Sequence, residues 1–432
     1  MNSPILPYPN VVLAPPAPPA ARAIAATLDR VAYAALCAFV FVLCWEDSVP
    51  LFGGFVISRW LGLLAFAVAL LRVGVLPQTR PFKELHYWLL AFAAWSSASI
   101  FWTVDWDTTA GRVGTYAQLL VVAWLIWLVT TNDSRVCGLL LSYVLGTYIV
   151  AIGTIQNLLA GRTFSQMDDL DAARSARYTM EGINPNDLGL MLALSIPMAF
   201  YLMSRRRNNP LIVVFCWVQF GLCITAILLS GSRGSMLAGS AALLMFPLTV
   251  AGLPRIQKLM AALVGAGAVL AAIFLVPADT WQRFFNLSTE ITEGTMTHRT
   301  QIWAASLQLF RDHAFLGVGS GAHPVAVVGI LGRALVAHNT FVSVLVELGV
   351  MGGLIFFGLL AAAFYCAWQM RGLERRLWLL TLLTWCIGVC GGTWEYRKTT
   401  WFLLGLLIAH AALPRETASR ETMWRDVRRG EY

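Results

Sequence analysis

Charge is what this sequence has least of. Only 12% of its 432 residues are Asp, Glu, Lys or Arg, while 58% are hydrophobic and the mean hydropathy is +0.67. Soluble domains carry about 25% charged residues, so the scarcity argues against a soluble enzyme and for a polytopic membrane protein. Metal and redox patterns are missing too. The eight cysteines (Cys37, Cys44, Cys137, Cys216, Cys223, Cys366, Cys386, Cys390) include no Cys-x-x-Cys pair. All fall in or at the ends of apolar runs, as small packing residues, and no disulfide or thiolate metal site is expected. The start "PILPYPNVVLAPPAPPAAR" lacks the basic opening and apolar core of a cleavable signal peptide. The first apolar run is therefore expected to be an uncleaved anchor.

What is present is a series of apolar runs. About 20 apolar residues cross a bilayer core, and in that unit the chain holds about twelve spans, from Val31–Trp45 to Trp401–Leu413. Loops alternated across twelve spans put 19 of the 31 Lys and Arg, but only 8 of the 23 Asp and Glu, on the side of the N-terminus. That is a net +11 on this side and −3 on the other. By the positive-inside rule both termini are cytoplasmic, and the overall +8 needs no nucleic-acid partner. The resulting organisation is a disordered Pro/Ala-rich tail over 1–30, spans one to nine over 31–276, spans ten to twelve over 339–413, and a basic tail over 414–432. Two connections are long, a smaller one at 161–185 and a large one at 277–338, and both fall on the extracytoplasmic side. In the large loop, Ile302, Trp303, Ser306, Leu309 and Phe310 recur at helical spacing. A glycine-rich turn, "FLGVGSGAHP", follows and is either a flexible elbow or a backbone nest for an anion. A second short helical pattern covers Val325–Val336.

Ionisable groups at membrane depth cost about 2.5 to 3.5 kcal/mol each, and those that persist usually face an interior site. Arg233, in "LLSGSRGSML", lies at the extracytoplasmic junction of two spans, amid Gly and Ser but without P-loop spacing. It either snorkels to the headgroups or binds a ligand. Arg299 opens the loop helix, and two such arginines suit a diphosphate because the planar guanidinium bonds phosphate bidentately. Arg283, Arg311 and Arg333 are weaker candidates of the same type. Asn184 and Asn186, in "INPNDLGLML", either cap a span or line a substrate site. The loop histidines His298, His313, His323 and His338 match no metal-ligand spacing, and no metal is expected. His338, followed by Asn339, opens the tenth span and is placed to accept a proton near neutral pH. On a helical wheel, Gly349 and Gly352 fall on its side and would let another helix approach. Glu347 falls on the opposite face and is not expected to pair with it.

His338-Asn339, nine residues, then Gly349-x-x-Gly352 resembles the signature of the O-antigen ligase family of bacterial inner-membrane glycosyltransferases. The span number, Ser232-Arg233-Gly234, Asn184-Pro185-Asn186, and the late loop with "HRTQIW" and "FLGVGSG" agree with it. The resemblance covers roughly Asn184 to Trp401. It implies an all-α, GT-C-like fold and transfer of O-antigen from undecaprenyl diphosphate to a lipid A-core sugar at the periplasmic face, among membrane lipids and without cofactor or metal. Carried over, it assigns Arg233 and Arg299 to the diphosphate and His338 to the acceptor hydroxyl as general base, with inversion. It leaves Asn184, Asn186, Arg283, Arg333 and Asn339 as possible substrate contacts. Other readings of the same scaffold are an O-antigen polymerase, a protein O-oligosaccharyltransferase, and, from another class, a transporter of polyprenyl-linked sugars. The polymerase pattern Arg-x10-Gly occurs once, at Arg283 and Gly294, and not in the first loop.

Overall fold

The computed structural model describes residues 18–49, 56–77, 79–164, 177–246, 255–276, 278, 281 and 299–414. Every regular element among them is helical. In chain order the helices are α1 (Pro19–Val42), α2 (Ile57–Val75), α3 (Glu84–Ala98), α4 (Trp106–Val129), α5 (Asp133–Leu159), α6 (Pro185–Arg205), α7 (Pro210–Leu229), α8 (Arg233–Leu243) and α9 (Arg255–Leu275). The loop contributes α10 (Arg299–Asp312), α11 (His323–Ala326) and α12 (Val328–Leu331), and α13 (Thr340–Gln369), α14 (Gly372–Gly388) and α15 (Lys398–Ala411) close the chain. Seven of these, α1, α2, α4, α5, α6, α7 and α13, are long and apolar enough to cross a membrane. The protein is thus an all-α, multi-pass membrane protein.

Short polar caps decide where these helices begin. Asn184 and Asn209 each accept backbone N–H bonds at an N-terminus whose next residue is proline, so the cap satisfies an orphan donor and the ring presets φ. Helix α6 then runs through the middle of the bundle, with every residue from Leu188 to Met203 buried. It packs against α5, α7, α8 and α14. Around the outside, α2, α7 and α9 expose Leu63, Leu64, Leu71, Leu211, Val214, Leu263 and Phe274. A contiguous apolar exterior of this kind faces lipid rather than water.

Two sequence expectations change. The tail expected to be disordered through residue 30 is already helical from Pro19, because Pro at the first helical position and the Ala-rich "AARAIAA" both favour that state; residues 1–17 lie outside the described residues. The short helix expected over Val325–Val336 is two single turns that stop at Gly332 (φ 71°). Residues 332–339 then run irregularly to α13.

Helix α13 is broken. Gly349 has φ 65° and ψ −169°, a conformation essentially reserved for glycine. A Cβ there would collide with the Phe315 carbonyl, and one at Gly317 with the Glu347 carbonyl. The loop instead joins the break by backbone bonds: Val318 N–H to Val346 O at 3.0 Å, Gly319 N–H to Glu347 O at 2.9 Å, and Val350 N–H to Ala314 O at 2.8 Å. The glycine-rich turn is therefore neither elbow nor anion nest, since the N–H groups of Val318, Gly319 and Gly321 are spent on α13 and that of Ser320 on the Ser99 hydroxyl. Gly349 admits this turn rather than a helix, whereas Gly352 faces the Trp95 ring of α3.

Candidate active site

Three helix N-termini meet at the end of the bundle that carries residues 177–184 and 299–338. At α8, Gly231 (φ 59°) turns the chain, and Ser232 caps the helix by accepting the Ser235 N–H at 3.2 Å. The Ser232 hydroxyl donates to Asn186 Oδ1 at 2.6 Å, which ties α8 to the first turn of α6. At α13, Asn339 accepts the N–H groups of Phe341 (2.9 Å) and Val342 (3.2 Å). Thr340 follows, donating its hydroxyl to Gly392 O at 2.9 Å and accepting the Trp394 N–H at 2.8 Å. The 391–394 turn completes the ring, because Gly234 of α8 approaches Gly391 and Gly392 approaches Asp187 of α6. Helix N-termini carry partial positive charge, and three together favour an anion.

Arg233 sits at the first position of α8 and Arg299 at the first position of α10. The fold brings them within electrostatic range. Burial, and then the charge of Arg233, hold the Arg299 pKa below its ordinary value. Among the described residues no carboxylate offsets that shift. One turn along α10, the Trp303 indole donates to Ala337 O at 3.0 Å, fixing the residue before His338. His338 itself takes φ 50°, the one positive φ outside glycine among the described residues. Strained backbone of this kind clusters at functional sites.

His323 supports this strand of loop from below. It is buried, with Nδ1 3.2 Å from Leu335 O and Nε2 2.8 Å from the Ser306 hydroxyl of α10. The carbonyl partner assigns the proton to Nδ1. Burial, with a smaller contribution from the nearby His338, pushes its pKa down to about 4, so His323 is neutral at ordinary pH. Its burial between α10 and the 335–338 segment gave no sign in the sequence spacing.

Of the other expected residues, Asn184 both caps α6, accepting the Asn186 N–H at 2.9 Å, and borders a cavity described below, whereas Asn186 accepts the Ser232 hydroxyl. Arg333 is exposed, just beyond Gly332. Arg283 lies outside the described residues, as does His298. Glu347 is not idle. It is buried, accepts the Gly321 N–H at 2.6 Å, and shares the Ser343 hydroxyl with Glu395, each at 3.3 Å. Arg112 lies beside this pair and 3.3 Å over the Tyr396 ring. Glu347 thus holds the glycine turn onto α13.

The sequence reading also passed over the charged stretches flanking α1 and α15. Asp187 accepts the Trp394 indole at 2.7 Å and Arg397 at 3.0 Å, and Lys398 pairs with Glu46 at 2.6 Å. "WEDS" and "TWEYRK", dense charge between apolar runs, were the available signal. At the opposite end of the bundle, Asp133, Glu374 and His410 stand close enough to hold a cation. There His410 Nδ1 accepts the Trp378 indole at 3.0 Å, so Nε2 carries the proton toward the carboxylates. That tautomer makes Nε2 a hydrogen-bond donor, not a metal ligand.

Fold and site together define a class: a multi-pass, all-helical membrane protein with two arginines, each opening a helix, held within electrostatic range of each other. The comparisons agree with this. Residues 218–357 match the family model described as O-antigen ligase. The chain is also 27% identical to an O-antigen ligase of Pseudomonas aeruginosa PAO1 over 334 residues, 74% of this chain and 76% of that protein. Both findings support the O-antigen ligase family for this chain.

Proposed function

We propose that the protein transfers O-antigen from undecaprenyl diphosphate to a lipid A-core sugar at the periplasmic face of the bacterial inner membrane. The observation that carries this reading is the pair Arg233 and Arg299 at the N-termini of α8 and α10, with Trp303 of α10 bonded to Ala337, the residue before His338. In the reaction, the acceptor hydroxyl oxygen attacks the anomeric carbon while His338 takes its proton. The bond from that carbon to the diphosphate oxygen breaks, and a single displacement inverts the centre. Negative charge then grows on the leaving diphosphate, where the guanidinium groups and helix dipoles stabilise it. These cations fill the role that a divalent ion has in related chemistry, so the transfer is metal-independent. Twelve spans with both termini cytoplasmic and a GT-C-like arrangement fit the twelve helices outside the loop and the +11 against −3 charge bias.

The test is reconstitution of purified protein with lipid-linked glycan and, in separate vessels, lipid A-core or an acceptor peptide. The reading predicts product on lipid A-core, unaffected by EDTA. Product on the peptide alone would overturn it in favour of a protein O-oligosaccharyltransferase.

A further inference from the structure

We propose that the cavity between the end of α1, the start of α6 and the 394–399 turn is a carbohydrate subsite, binding one sugar ring of a glycan substrate beside the diphosphate place. This rests on the ligase reading above. The cavity measures about 140 Å³ and is bordered by Glu46, Asp47, Asn184, Asp187, Arg397 and Lys398. A polar space that size holds several waters for a ligand to displace.

Its chemistry selects the ligand. Three carboxylates face two cations, a formal net of −1, so a second phosphate would be repelled. The cations are already engaged, Lys398 with Glu46 at 2.6 Å and Arg397 with Asp187 at 3.0 Å, which disfavours an acid. Unused hydrogen-bonding capacity remains on both sides of the ledger. Among the described residues the Asp47 carboxylate accepts no hydrogen bond, its nearest cation being Arg397 at 3.9 Å. The Arg397 Nε is buried with no partner. Together these ask for a neutral ligand that both donates and accepts, which is what a sugar's hydroxyls do. Leu43, Ile183 and Met191 supply an apolar wall for the C–H face of the ring.

Position completes the argument. Asp187 follows Asn186, which holds Ser232 beside Arg233, and it also anchors the Trp394 indole. Trp394 in turn donates its N–H to Thr340, two residues past His338. The cavity therefore shares its walls with the reaction centre, where the first sugar of either substrate must lie.

The experiment uses the full-length protein in nanodiscs, with Asp47→Asn and Lys398→Gln as variants. Affinities are measured for undecaprenyl diphosphate carrying the glycan, for lipid A-core, and for glycan-free undecaprenyl diphosphate, alongside Tm and transfer rate. The expected result is an affinity loss of roughly tenfold or more, as for a lost charge-assisted bond, for one of the glycan substrates only. Loss for the lipid-linked glycan makes the sugar the donor's; loss for lipid A-core makes it the acceptor's. Affinity for glycan-free undecaprenyl diphosphate stays at the wild-type value. Unchanged affinity for both glycan substrates, or a parallel loss for the glycan-free lipid, overturns the subsite. Should one variant lower the Tm, the other carries the test. Wild-type protein that binds these substrates but transfers nothing would sink the ligase reading while the affinities still decide the cavity.

Discussion

Two guanidinium groups held near each other repel, and Arg299 is buried within range of the Arg233 charge, with no carboxylate among the described residues to offset it. An anion relieves that repulsion, so the pair should act as a donor clamp that costs stability until it is filled. Arg299→Gln should leave the ligand-free Tm equal to or above wild type, yet weaken undecaprenyl diphosphate binding roughly ten- to a hundredfold; a lowered Tm with intact binding contradicts it. His323 makes a pH prediction. Its folded pKa, about 4, lies below the ordinary histidine value of about 6.5. The unfolded chain thus binds the proton first, and the stabilisation is complete above about pH 6.5 and lost as pH falls toward 4, about 3 kcal/mol in all. His323→Asn should therefore shrink the fall in Tm between pH 7 and pH 5. At this scale the sequence was partly legible. Arg233, Arg299 and His338 stand out because charge is rare in apolar runs, whereas Asp47, Asp187 and Arg397 lie at span ends, where snorkelling is the ordinary explanation.

Between loop and bundle, the decisive element is the break in α13. A straight helical wheel set Glu347 apart from the site, and it could not show that Gly349 interrupts the helix or that residues 314–321 fill the gap. The misreading has a physical cause: hydrophobic periodicity reports which face is buried, not where φ changes sign. The Gly349-x-x-Gly352 spacing was visible, but the use of each glycine was not, one admitting a backbone turn and the other a tryptophan ring. Gly349→Ala should impose about 1–3 kcal/mol of backbone strain in addition to its collision with Phe315. Circular dichroism melting should then show a Tm several degrees lower, with glycan transfer lost as the turn detaches from His338's helix. An alanine variant with wild-type melting and rate would show that the break is dispensable. The caps were more legible than the kinks, because Asn-Pro at α6 and α7 is a local signal and Gly349 depends on a partner more than 25 residues away.

Across the whole molecule, the apolar runs set the architecture and the helix directions set the chemistry. A helix lies in each of the twelve runs read from the sequence, since burial of apolar surface and internal hydrogen bonding leave few alternatives in lipid. Convergence of the N-termini of α6, α8 and α13 was not legible, because it depends on contacts from Asn186 to Ser232 and from Thr340 to the 391–394 turn, distant in sequence. In the proposed reading that convergence makes a diphosphate place out of two scattered arginines, with His338 leading into α13 as the base. The most direct test is transfer by purified, reconstituted wild-type and His338→Ala protein from lipid-linked glycan to lipid A-core, with donor affinity measured in the same preparations. The account predicts donor affinity unchanged in the variant and a transfer rate lower by about 10²- to 10⁴-fold; wild-type transfer by His338→Ala would contradict it.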